Sequence, residues 1–336
     1  MRVTRGQDGN AVAPRVMPGP AIRRGAADTG EIRADLPRAS VIIPHFNTPE
    51  LLVKCLQAVA SQTLDHGRFE IIVVDNGSRM PMRLIEAAWP GVRFFLQREA
   101  GPGPARNLGV EHARADILAF VDADVRVAPG WLQAALKAIG ERPLALVGGD
   151  VRIDVGDRER MTEVEAFESV FSFRQESYIK KKHYSVTANI IMTRAVFDRA
   201  GPFDGIHMPE DRAFGERAHA MGIRTGYAPQ MLAFHPARRD FEEMRSKWTR
   251  LSQQAFSAQM EKGRPLILWQ LRAVAVAASG LVHAPQMLIS RRVSGLGNRF
   301  RGLRFLLRLR WLRALDMLEI ASKARAGEQL IVNWNK

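Results

Sequence analysis

The chain has a single cysteine, Cys55, among 336 residues, which excludes an internal disulfide framework and fits a reducing compartment. Cys55 falls in the spacing Leu51, Leu52, Cys55, Leu56, Val59, so a buried thiol on the apolar face of a helix is expected. Residues 1–39 contain no apolar run of signal-peptide length, and the expectation is that the folded part stays in the cytoplasm. They are rich in Gly, Pro, Ala and Arg without periodicity and read as a disordered leader. No internal repeat is found. Between Arg291 and Arg313 there is no acid at all, while eight arginines stand there. That stretch holds more than half of the net charge of +14. The sequence pI of about 10.7 therefore reflects one segment rather than a basic stripe interleaved with aromatics along the chain, and no nucleic-acid partner is expected.

With 46% hydrophobic and 25% charged residues, the chain can bury a large core. From Ser40 onward, short apolar runs alternate with helical patterns. Strands are expected at Val41–Ile43, Phe69–Val74, Val92–Leu96, Ile117–Val121 and Leu144–Val147, and helices at Pro49–Ala60, Arg83–Ala88, Pro104–Ala113 and Pro129–Ile139. Continuous apolar strands between helices indicate an α/β fold with a mainly parallel sheet. After residue 155 the pattern loosens, with a helix near Met161–Phe173, a strand near Val186–Met192, a helix over Glu210–Met221 and a strand near Arg224–Ala228. Residues 241–336 form a helical basic and apolar C-terminal region after an α/β domain over 40–240.

Ligands of open parallel sheets bind beyond the carboxyl ends of the strands, so polar residues directly after apolar runs are the ones to inspect. Asn47 follows the first run, Asp75-Asn76-Gly77-Ser78 the second, and Asp122-Ala123-Asp124 follows Val121. If the chain stays extended there, Asp122 and Asp124 project to one side, and two carboxylates suit a hard cation such as Mn²⁺ or Mg²⁺ whose remaining ligands are phosphate oxygens. Alone, Asp-x-Asp also fits a solvated turn.

Taken together, several motifs resemble the family 2 glycosyltransferases, whose nucleotide-binding fold is called GT-A. They are Ser40–Asn47 (Ser-Val-Ile-Ile-Pro-His-Phe-Asn), Glu70–Ser78, the Gly101–Gly109 segment holding Arg106 and Asn107, and Phe120–Asp124. Gly201-Pro202-Phe203-Asp204, Pro209-Glu210-Asp211 and His235 follow in the family's order. The resemblance implies a Rossmann-like sheet, a nucleoside-diphosphate sugar donor and inverting transfer. It implies that Pro44 and Asp75 contact the base, with Asn47 in the same nucleotide-binding set, and that Arg106 and Asn107 lie beside the nucleotide. Asp122 would face ribose and metal, Asp124 would hold the metal, and His235 could approach the metal or diphosphate. Glu210-Asp211 matches the family's catalytic pair, with Asp211 taking the acceptor's proton. His45 is assigned no role.

The Gln-x-x-Arg-Trp string of the family's processive synthases does not occur, which favours transfer of one sugar. A nucleotidyltransferase would carry a glycine-rich loop after its first strand, and Val41–Pro49 has no glycine. A non-catalytic nucleic-acid or membrane-binding protein is the remaining alternative. Leu266–Ile289 approaches the length of a bilayer span, but Arg272 and Pro285 interrupt it, so an interfacial helix on an anionic membrane surface is expected. A lipid-linked or saccharide acceptor and a role in cell-envelope polysaccharide or glycolipid assembly follow as expectations.

Overall fold

The computed structural model describes residues 36–205 and 209–326. The expected leader lies outside the described residues up to residue 35. In chain order the elements are β1 (Ala39–His45), α1 (Pro49–Ala60), β2 (Phe69–Asp75), α2 (Arg83–Ala88), β3 (Val92–Leu96), α3 (Pro102–His112), β4 (Ile117–Val121), β5 (Arg126–Val127), α4 (Trp131–Glu141) and β6 (Leu146–Asp154). They continue with α5 (Glu163–Phe171), α6 (Gln175–Lys182), β7 (Asn189–Thr193), α7 (Arg194–Ala200), α8 (Glu210–Ala220), β8 (Thr225–Pro236), α9 (Phe241–Glu261), α10 (Leu266–Ile289) and α11 (Leu296–Arg325).

The chain divides into two compact units. One comprises the described residues up to Val151 with Gln175–Phe234, and the other Arg152–Arg174 with the described residues from His235 onward. Residues 152–174 thus belong to the second unit although they fall within 40–240.

One eight-stranded sheet has the order β3-β2-β1-β4-β7-β6-β8-β5. Its first four strands are parallel, and β7 is antiparallel to both β4 and β6, so the sheet is mixed. All seven residues of β1 are buried because helices cover both faces, which is why the strand reads as an unbroken apolar run. On one face Leu52, Cys55, Leu56 and Val59 of α1 pack with Trp131, Leu132 and Leu136 of α4. On the other, Val110 of α3 packs with Val196, Phe197, Phe214 and Ala218 from α7 and α8. Gly109 lets α3 lie directly on β1, since a Cβ there would stand 2.4 Å from Ile42 Cγ2.

A buried polar knot fixes the sheet's centre. Asn189 Nδ2 donates to Asp150 O (2.9 Å) and Met231 O (2.8 Å), while its Oδ1 accepts from Trp131 Nε1 (2.8 Å). Every side-chain bond of this amide is to a group that is itself inside, and losing one partner would leave a buried donor or acceptor unsatisfied.

In the second unit, α5 is begun by a capping box at Thr162 and Glu165. Its Val164 and Phe167 pack with Met244, Phe305, Leu306 and Leu309 of α9 and α11. Glu168 is buried and accepts from the Arg238 guanidinium at 2.5 Å and from the Arg238 backbone N–H at 2.8 Å. Trp269 of α10 donates to Met317 O of α11 at 2.8 Å. Over the described residues from 241 onward the expected helical pattern is α9, α10 and α11, and residues 327–336 of that region lie outside the described residues.

Candidate functional site

The carboxyl ends of β1, β2 and β4 carry the polar residues singled out from sequence. The parallel register sets His45 directly opposite Asp75, and the two are bonded through Nδ1 and Oδ1 at 2.9 Å. Thr48 N–H donates to His45 Nε2 at 3.2 Å, so Nε2 is the acceptor and the ring proton sits on Nδ1, aimed at Asp75. Ser78 completes the clamp: its Oγ donates to Asp75 Oδ1 (2.5 Å) and its N–H donates to Oδ2 (3.0 Å). Asp75 is thereby fixed with two donors on one oxygen. His45 was given no role from sequence, yet it orients this carboxylate, and the signal that finds it is the register of two neighbouring parallel strands ending at one level.

Asn47, with φ 55°, turns the chain out of β1. Its N–H donates to Ser78 Oγ (2.9 Å) and its Oδ1 accepts from Arg79 N–H (2.9 Å), which locks the loops after β1 and β2 together. Pro44 sits in β1 opposite Val74 and is buried. Asn76 does not form a hairpin turn. Its side chain reaches Gln97 O, Glu99 O and Gly101 N–H, tying the loop after β2 to the start of α3.

Arg106 is the centre of the site. It projects from α3, is only 2% exposed, and donates through Nη2 to Asp122 Oδ1 (2.5 Å) and through Nη1 to Glu210 Oε1 (3.1 Å). Phe203 lies beneath the guanidinium, 5.9 Å from Cζ to the ring centre. The two carboxylates hold its charge above the usual arginine value against the opposing effect of burial. One buried cation thus joins the loop after β4 to the start of α8, whose Glu210 is 104 residues from Arg106 in sequence.

Asn107, expected beside a nucleotide, bonds instead to the backbone of Phe203: its Nδ2 donates to Phe203 O and its Oδ1 accepts from Phe203 N–H, both at 2.9 Å. The Gly201–Asp204 segment is also gripped by Arg217, which donates to Ala200 O (2.6 Å), Asp204 Oδ2 (2.9 Å) and Pro202 O. Gly103 is required by the same contact, because a Cβ there would lie 1.9 Å from Asp204 O.

The chain does not stay extended through Asp122-Ala123-Asp124. It turns, with Val125 N–H donating to Asp122 O at 3.0 Å. The two carboxylates still share a neighbourhood, since the buried Cys55 thiol, raised chiefly by burial, is raised further by Asp124 and then Asp122. Cys55 Sγ lies 3.6 Å from Asp122 O and is the inert core thiol its spacing indicates.

Asp211 opens α8 beside Glu210. Burial pushes its carboxyl up to about 6, with the Glu210 charge adding to this and its own bond from Arg212 N–H (2.7 Å) opposing it. Tyr184, absent from the sequence reading, feels the same charge: burial, then Tyr178, then Asp211 push its hydroxyl up to about 12. The Tyr178 and Tyr184 rings are stacked with centres 5.4 Å apart. Gly215 of α8 allows Tyr184 its close approach, as a Cβ there would stand 2.3 Å from Tyr184 Cβ. A cleft of about 600 Å³ lined by Lys180, His183, His219 and Arg224 opens elsewhere in this unit and holds none of the expected site residues. His235 belongs to the second unit, where its ring lies 4.7 Å from that of Phe173 and its Nδ1 is 2.7 Å from Pro236 O. Among the described residues no three His, Cys, Asp or Glu side chains gather as a metal-holding group.

Residues 40–201 match the profile described as Glycosyl transferase family 2. Glycosyltransferase AglE of Haloferax volcanii is 32% identical over 223 residues, 64% of this chain and 72% of that protein. The chain belongs to glycosyl transferase family 2. It is a glycosyltransferase, and the family accounts for the ordered motifs from Ser40 to Gly201. A putative glycosyltransferase, EpsH of Bacillus subtilis, is 27% identical over 57% of this chain and 59% of that protein. A solved mannosyltransferase of Pyrobaculum calidifontis, in complex with GDP-Man and Mn²⁺, superposes with a TM-score of 0.50 at 16% identity, covering 89% of this chain and 78% of that one. That likeness establishes the GT-A type of α/β sheet.

Proposed function

We propose that the chain is a metal-dependent, inverting glycosyltransferase that moves one sugar from a nucleoside-diphosphate donor to an acceptor hydroxyl at a membrane surface, in cell-envelope polysaccharide or glycolipid assembly. The observation that carries this is the Arg106 bridge, which draws a donor-side carboxylate, Asp122, and the acid pair at the start of α8 into one locus.

Asp75, clamped by His45 and Ser78, offers a preorganised carboxylate to the N–H groups of a base. Two carboxylates, Asp122 and Asp124, are a fitting hard-oxygen set for Mn²⁺ or Mg²⁺, which takes one or two protein carboxylates and completes its shell with phosphate and water. The mannosyltransferase of similar fold was solved with such an ion and a nucleotide sugar. A bound cation would neutralise charge that develops on the departing nucleoside diphosphate. Arg106 holds both Asp122 and Glu210 in place, and the Glu210 charge helps to raise Asp211.

Asp211 takes the proton from the acceptor hydroxyl as that oxygen bonds to the anomeric carbon and the carbon–oxygen bond to the diphosphate breaks. A single displacement inverts the anomeric centre, and NMR of the product would show it; retained configuration would contradict the reading. The base works only when deprotonated, so kcat/KM should fall as pH drops through about 6 and level off above it. A profile flat across that pH would show that Asp211 does not act as the base.

Location at a membrane rests on α10, the one helix among the described residues that is long and apolar enough to cross a bilayer. Trp269, Ala273, Gly280 and Met287 of α10 are buried within the unit, while Leu271, Val274, Leu281 and Val282 on the opposite face are exposed. One face packed on the unit and the other open fits a helix lying along an interface. Full-length protein should sediment with anionic vesicles, and glutamate at Leu271, Val274 and Leu281 should abolish this without lowering Tm, because all three side chains are exposed. Unchanged sedimentation by the triple variant would remove the membrane location.

A further inference from the structure

Among the described residues, three guanidinium groups of the second unit lie within electrostatic reach of one another and form no ion pair. Arg272 comes from α10, and Arg310 and Arg313 come from α11. The two helices approach closely at Gly280, where a Cβ would be 3.1 Å from Leu307 Cδ2 and 3.6 Å from Arg310 Cβ. Arg272 lies over Trp269 at 5.4 Å, and Arg313 over Trp248 at 4.2 Å. Arg313 Nε is 3.4 Å from Ser252 Oγ, a long contact, and buried Arg310 Nε makes no hydrogen bond within the described residues. The nearby acid Asp316 is committed to Arg245 (3.0 Å) and Thr249 (2.9 Å). Burial lowers Arg313 to about 10, and the charges that lower it further are Arg310 and Arg272.

Three like charges, two of them half-buried, are costly to hold together unless an anion joins them. Arginine forks match phosphate oxygens, and three cations suit a dianion better than a carboxylate. The surroundings indicate where the anion comes from. On α10 the exposed residues Ile267, Leu271, Val274, Leu281, Val282 and Ile289 lie on one charge-free stripe. At 1.5 Å per residue the stripe is about 33 Å long. Arg272 borders it next to Leu271, and Trp311, which is 61% exposed, stands beside Arg310 where an indole favours a membrane–water boundary.

We propose that Arg272, Arg310 and Arg313 bind the terminal phosphate of a membrane lipid whose bilayer takes the exposed stripe of α10. The proposal shares the membrane location above but not the chemistry of the first unit. Arginines attracted only by surface potential respond to charge density, whereas a built phosphate site distinguishes a dianionic terminal phosphate from a buried monoanionic diester.

The test uses the full chain and phosphatidylcholine vesicles doped with phosphatidic acid or phosphatidylglycerol to the same measured zeta potential. Binding should be at least about tenfold tighter to phosphatidic acid, a difference of about 1.4 kcal/mol. Arg272→Gln, at an exposed position, should erase the preference, bringing the two kinds of vesicle to equal affinity, while leaving Tm unchanged. Arg313→Lys, which keeps charge but loses the fork, should weaken the preference. Soluble glycerol phosphate at the same phosphate concentration should not displace the protein. Equal affinity for the two vesicles, a preference that survives Arg272→Gln, displacement by glycerol phosphate, or no vesicle binding at all would each overturn the assignment.

Discussion

Asp211→Asn is expected to lose at least about 10²-fold in kcat while binding the sugar nucleotide as tightly as the natural chain. General-base catalysis is worth about 10²–10⁴-fold, and an amide of the same shape cannot take the proton. The substitution is nearly isosteric, and the Arg212 N–H that now donates to Asp211 Oδ1 at 2.7 Å can donate to the asparagine oxygen as well. The fold should therefore tolerate it. Since burial and the Glu210 charge both disfavour the carboxylate, removing that carboxylate should leave Tm unchanged or slightly higher. A variant that turns over normally would make Asp211 only an acid favoured by the positive end of α8.

Arg106→Gln is expected to damage both stability and transfer. Removing one partner of a buried ion pair costs about 3–5 kcal/mol because a charge is left uncompensated. Asp122 and Glu210 retain 32% and 23% side-chain exposure, so the lower end of that range applies. Glutamine is too short to reach both carboxylates. Adding Glu210→Gln to the same chain should recover part of the lost stability, since one orphaned charge disappears, yet activity should not return because Asp122 still lacks its holder. Equal Tm for the natural chain and Arg106→Gln would show that the bridge contributes nothing to the fold.

The sheet was legible because strands buried on both faces read as apolar runs. Phe69–Val74 and Val92–Leu96 became β2 and β3 with bounds almost unchanged. Strands that lie among antiparallel neighbours were less so: Leu144–Val147 extends as β6 to Asp154, and Arg224–Ala228 extends as β8 to Pro236. Their later residues alternate in burial and lose the continuous apolar signal. The short α6 and α7, of eight and seven residues, span too few turns for a helical period to register. Residues 152–174 cluster with helices more than 60 residues downstream, a long-range preference that no local window contains.

Within the site, the acids stood out because they follow apolar runs, but their partners did not. Arg106 on a helix of weak amphipathicity looks like a solvated charge, and only the fold reveals that it is buried between two carboxylates. Asn107 carries the motif's spacing, yet its amide is spent on the backbone of Phe203. Tyr184 belongs to no motif and comes near Asp211 through the close approach of α8 at Gly215.

The central claim is donor cleavage that depends on a divalent ion held at Asp122 and Asp124. Its most direct measurement is release of nucleoside diphosphate across a panel of nucleotide sugars, in Mn²⁺ and in excess chelator, for the natural chain, Asp124→Ala and Asp211→Asn. The account predicts release only with the ion, none from Asp124→Ala, and ion-dependent donor binding preserved in Asp211→Asn. Full turnover in chelator, or an Asp124→Ala variant as active as the natural chain, would contradict it.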